Sequence, residues 1–140
     1  MAKLTLDQAV RVIDGALARG TELGCAPLTV VVLDAGGHDL ALKRQDGAGI
    51  LRSDIARGKA WGALGMGFSS RELADRAQKV PAFIGALASV SQGRLVPAAG
   101  GVLIYDDARN VLGAVGISGD TSDRDEDCAF AGIKSAGLQA

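Results

Sequence analysis

A chain of 140 residues with 48% hydrophobic and 22% charged residues is near the commonest single-domain size, which excludes a disordered chain or a fibre and predicts one domain over 1–140. Fifteen Lys plus Arg against sixteen Asp plus Glu leave a net charge of -1, giving no electrostatic footprint for nucleic acid or an anionic membrane. Twenty glycines, about twice ordinary usage, with only 4% aromatics, point to elements in close contact rather than an aromatic-packed core.

Thr5 with Gln8 forms a capping-box signature, and Leu6, Ala9, Val10, Ile13, Ala16 and Leu17 recur at helical spacing. The first element is therefore an amphipathic helix to about Leu23, ended by Gly24. The β-branched run from Leu28 to Leu33, the turn residues from Asp34 to Gly37 and the segment from Asp39 to Arg44 read as a β-hairpin. Ile50 to about Met66 returns to helical period, with Leu51, Ile55, Gly58, Gly62 and Met66 on one stripe. Ser69 with Glu72 signals a fresh helix start, and Pro81 suits the first turn of a short helix reaching about Ala88. Val102 to Tyr105 and Val111 to Ser118 then form a second strand pair. Ser122 with Asp125 reads as the capping pair of a last helix whose stripe is Cys128, Ala131, Gly132, Ser135 and Ala136. Strands paired locally, with helices before, between and after them, predict an α+β domain with helices packed on an antiparallel sheet of about four to five strands.

Neither a signal-peptide core nor a run approaching the roughly 20 apolar residues of a membrane span is visible, so a cytoplasmic location is expected. Cys25 and Cys128 stand alone at opposite ends, without Cys-x-x-Cys or a neighbouring His, and read as buried thiols. His38, the only histidine, follows the turn and is either a polar strand residue or a ligand and proton carrier. Lys59 falls beside the apolar stripe, where an ammonium either snorkels or meets an anion. Arg44 and Asp46, at the end of the hairpin, either complete an anion site or pair with each other. Gly100 and Gly101 enter a strand, and Ser118, Gly119 and Thr121 lead into a helix N-terminus. Backbone N–H groups in such loops suit a carboxylate, a phosphate or an oxyanion.

Taken together, the segments Asp34 to His38, Arg44 to Gly47, Asp54 to Lys59, Pro97 to Val102, Gly113 to Ser122 and Asp125 to Ala129 resemble the GlcG/HbpS family over nearly the whole chain. That family takes in heme-binding members and the C-terminal domain of PduO-type corrinoid proteins. The resemblance implies a profilin-like fold, assembly into dimers or multiples of dimers, and heme or tetrapyrrole binding. It makes His38 the expected ligand of heme iron and Lys59, Arg44 and Arg52 the expected propionate partners. The alternative is a cofactor-independent tautomerase, lyase or hydrolase acting on a small carboxylated catabolite. Lys59 or Arg44 would hold the carboxylate, Gly100 and Gly101 an oxyanion, and His38, Asp34 or Glu126 would move protons. Two departures from the family pattern stand out. Ala99 occupies a usual Pro position, and Asp120 replaces a Gly in the turn before the last helix.

Overall fold

The computed structural model describes residues 2–140. Five helices and four strands follow in the order α1 (Leu6–Leu23), β1 (Thr29–Asp34), β2 (Asp39–Arg44), α2 (Arg52–Met66), α3 (Ser70–Lys79), α4 (Pro81–Val90), β3 (Gly101–Tyr105), β4 (Val111–Ser118) and α5 (Ser122–Ser135). The sheet is antiparallel throughout, in the order β2-β1-β4-β3. The two hairpins expected from local signals are present, and β1 joins them by pairing with β4 from Thr29↔Ser118 to Asp34↔Gly113.

Alternation along the strands sorts the core into two layers. Val30, Val32, Val102, Ile104, Val115 and Ile117 face α1 and α5. Val31, Leu33, Leu103 and Ala114 face α2, which meets them with Ala56, Ala60 and Ala63. The expected stripe on α2 is rotated. Gly58 and Gly62 of that stripe are buried, but Leu51 is 62% exposed, and Ala56, Lys59, Ala60 and Ala63 complete the buried face. Small side chains win here because α2 lies almost on the backbone of β4. A Cβ added at Gly116 would collide with the carbonyl of Ala56. The α1–α5 contact uses the same device, since a Cβ at Gly132 would strike the carbonyl of Val12.

The Thr5–Gln8 capping box closes reciprocally at 3.1 and 3.0 Å, and Gly24 ends α1 in the left-handed conformation. At α5 the expected cap moves by one residue. Thr121, not Ser122, accepts the N–H of Arg124 at 3.3 Å, and Asp125 turns inward. A bridge between Tyr105 and Gln139 ties the C-terminal segment to the edge strand β3, a pairing without a local signal.

Candidate functional site

Polar side chains gather at the two ends of β1. At its C-terminal end the β1–β2 turn closes on the Asp34 carboxylate. One oxygen accepts the N–H groups of Gly36 at 2.9 Å and His38 at 3.0 Å, and lies 3.3 Å from His38 Nδ1. These bonds, the His38 N–H foremost, hold the Asp34 carboxyl below its ordinary range against the opposing effect of burial. A proton on Nδ1 donated to that carboxylate leaves Nε2 as the free acceptor of the imidazole. The His38 side chain is 80% exposed. It stands at a cleft of about 390 Å³ whose walls include Leu4, Leu40, Val111 and Leu112, with Lys3 at its edge. Behind the turn, Trp61 packs so closely that a Cβ at Gly37 would sit 3.1 Å from its ring nitrogen, and the Arg94 guanidinium lies 4.1 Å over that ring.

At the other end, Lys59 and Asp125 form a buried ion pair at 3.2 Å, with side chains 3% and 1% exposed. The Lys59 ammonium also donates to the carbonyl of Ile117 at 2.8 Å, and the second Asp125 oxygen accepts the N–H of Asp120 at 3.0 Å. Burial pulls the Lys59 pKa down, and Asp125 partly restores it. Gly100, with φ of +128°, crosses this pair so closely that a Cβ would stand 3.0 Å from the ammonium. Arg52 donates to the Ser118 hydroxyl at 3.0 Å. The Thr29 hydroxyl, on the same strand-end pair, is buried without a partner among the described residues.

A family model described as haem degrading protein HbpS-like matches residues 4–134. The chain belongs to this HbpS-like family. It is 31% identical over 125 residues to an uncharacterised 15.0 kDa protein of the dhaT-dhaS intergenic region of Citrobacter freundii, a match covering 89% of this chain and 86% of that one. It is 35% identical over 107 residues to the corrinoid adenosyltransferase PduO of Salmonella typhimurium, covering 76% of this chain but only 31% of that enzyme. The crystal structure of a PduOC:heme complex superposes with a TM-score of 0.88 at 29% identity, covering 99% of this chain and 98% of the other. A double mutant of Streptomyces reticuli HbpS gives a TM-score of 0.82 at 29% identity over 96% of this chain and 87% of that one. These likenesses agree with the α+β fold read from the element order.

In the HbpS-like chain, the residues singled out by sequence divide between the two ends. Lys59, Gly100, Gly101, Arg52, Ser118, Gly119 and Thr121 share one end, with Glu126 nearby on α5, whereas Asp34 and His38 occupy the other. The β1 register separates Thr29 from Asp34 by about 17 Å at 3.3 Å per residue. Arg44 pairs with Thr29 across the sheet and donates to the Ala48 carbonyl, so it too is remote from His38.

Most donors expected to be free at the Lys59 end already have partners. The Gly101 N–H donates to Ser70 Oγ at 2.7 Å, and the Thr121 N–H to Asp120 at 2.8 Å. Glu126 accepts two bonds from Arg71, which also reaches Asp123. Sequence reading missed Ser70, Arg71 and the inward role of Asp125, because each partner lies 31 to 66 residues away. Among the described residues no group of three or more His, Cys, Asp and Glu could hold a metal ion, so His38 stands as a single imidazole. Among the described residues no helix is long and apolar enough to cross a membrane.

Proposed function

We propose that this chain binds heme or a related tetrapyrrole in the cleft beside His38, with His38 Nε2 as the ligand of the iron. The observation that carries the reading is the oriented imidazole. A carboxylate beside Nδ1 orients the ring and leaves Nε2 facing outward as the acceptor, the arrangement metal-binding histidines use. The apolar walls of Leu40, Val111 and Leu112 suit a porphyrin face, and Lys3 offers a cation for a propionate. About 390 Å³ is within the range of small-molecule sites, roughly 300–1,000 Å³. Heme held by a relative of nearly the same fold supports the ligand class. Lys59, Arg44 and Arg52 are remote from this cleft, so within one chain Lys3 replaces them as propionate partner.

The enzyme alternative gains less support. It asks His38 and Lys59 to serve one small substrate, and they stand at opposite ends of the sheet.

A hemin titration tests the proposal. The expected result is a sharp Soret shift saturating at one heme per chain and lost in His38→Ala, a substitution the fold tolerates because the side chain is exposed. Broad absorbance that His38→Ala leaves unchanged refutes it.

A further inference from the structure

The two cysteines, over a hundred residues apart in sequence, converge on one point of the α1–α5 layer. A side-chain carbon built at Gly20 would lie 3.8 Å from both Cys128 Sγ and Cys25 Cβ, so the two side chains stand beside the same point of α1. The Cys25 N–H donates to the Gly20 carbonyl at 2.9 Å, which fixes Cys25 against the last turn of α1. Cys128 is fully buried in the core, and Cys25 packs against the same cluster while remaining half-exposed. From there Cys25 lines an open cleft whose polar walls are Lys43, Arg44, Gln45 and Asp46.

The two thiols differ in reactivity. Burial, with the neighbouring Cys25 next in effect, pushes the Cys128 thiol up to about 12, so it stays protonated at neutral pH and is not the first sulfur to be oxidised. Cys25, which lines an open cleft while Cys128 lies in the core, is the sulfur a dissolved oxidant meets first. One half-buried and one fully buried thiol side by side differ from two isolated buried thiols, the reading that sequence spacing suggests.

We propose that Cys25 and Cys128 are a reversible oxidation site, in which a hydroperoxide oxidises Cys25 and Cys128 then closes an intrachain disulfide. In the first step the Cys25 thiolate attacks one peroxide oxygen. The O–O bond breaks, the departing oxygen takes the thiol proton and leaves as water or an alcohol, and Cys25 becomes a sulfenic acid. In the second step the Cys128 sulfur attacks the Cys25 sulfur, the S–O bond breaks, and the hydroxyl leaves with the Cys128 proton as water. Two electrons pass from the two sulfurs to the peroxide. A dithiol reductant reverses the change. The site shares no residue with the His38 cleft, so this proposal and the heme reading stand or fall separately.

The test treats the whole chain with hydrogen peroxide, blocks remaining thiols with a maleimide under denaturing conditions, and maps the peptides by mass spectrometry. The expected product has lost two hydrogens, carries no maleimide, and yields one cross-linked pair joining Cys25 to Cys128. Its rate of formation is independent of chain concentration, and dithiothreitol restores both thiols. In Cys128→Ser, dimedone traps a sulfenic acid on Cys25; the wild-type peptide map decides the matter should that variant fail to fold. Over-oxidised Cys25 beside free Cys128, a Cys25 disulfide between two chains, or two thiols left unreacted would each overturn the proposal.

Discussion

The Asp34 carboxylate illustrates how much one residue does through backbone bonds. Its folded pKa lies below the ordinary 3.8, chiefly because the His38 N–H favours the charged form. Between the folded and unfolded values the unfolded chain binds more protons, so stability rises with pH there. The contribution is fully present above about pH 4 and is lost as pH falls through the folded pKa. Asp34→Asn keeps an acceptor for the turn but removes the charge. Its urea-unfolding midpoint should fall less steeply than that of wild type below pH 4, and its hemin affinity should drop roughly 10- to 100-fold, the usual effect of removing a carboxylate behind a ligating histidine. A wild-type acid profile and wild-type hemin affinity in the variant would show that the carboxylate orients nothing. At the opposite end, Lys59→Ala strands the buried Asp125 charge and should cost about 3–5 kcal/mol in urea denaturation, while Lys59→Met with Asp125→Leu should recover most of it. Lys59 was legible in the sequence as a charge beside an apolar stripe. Asp125 was not, because its role depends on a partner 66 residues away that only the fold brings near.

At the scale of elements, part of the glycine excess lies at contacts where a helix rests on a strand or another helix. Gly116 sits under the Ala56 carbonyl of α2, where no Cβ fits. Gly116→Ala should therefore push α2 off the sheet at a cost of about 1–3 kcal/mol, the usual penalty for overpacking, read as a lowered Tm. Gly85 provides the opposite case inside α4, since nothing lies within 4 Å of the position its Cβ would take. Gly85→Ala should stabilise by about 0.5–1 kcal/mol through helix propensity alone. The capping box of α1 and both hairpins were legible because their signals are local. The face of α2 was legible only at Gly58 and Gly62: Leu51, Ile55 and Met66 have the stronger hydropathy, yet the closeness of β4 selects Ala and Gly for the interior. The β1–β4 pairing that joins the hairpins likewise has no turn to announce it.

For the whole molecule, α4 is the helix whose apolar side chains are least covered. Helix α4 buries only Ile84, while Phe83 is 57% and Val90 76% exposed, and Ile50 and Leu51 add exposures of 92% and 62% elsewhere. From Val80 to Gly93 the sequence contains no charged residue, so α4 lacks the polar rim that normally keeps a surface helix in water. Apolar surface returns roughly 25 cal/mol per Å² when buried, and a symmetric partner uses each such helix twice. The open cleft beside His38 fits the same picture, since a neighbouring copy can cover the tetrapyrrole face that one chain leaves bare. The expected outcome is a chain that sediments at twice the monomer mass or an even multiple of it at micromolar concentration. Phe83→Asp with Val90→Asp should shift it toward monomer with an unchanged far-ultraviolet circular dichroism spectrum, because both side chains are already in solvent within one chain. A wild-type protein that remains monomeric over that range would place the function of α4 elsewhere and leave the His38 cleft to act within a single chain.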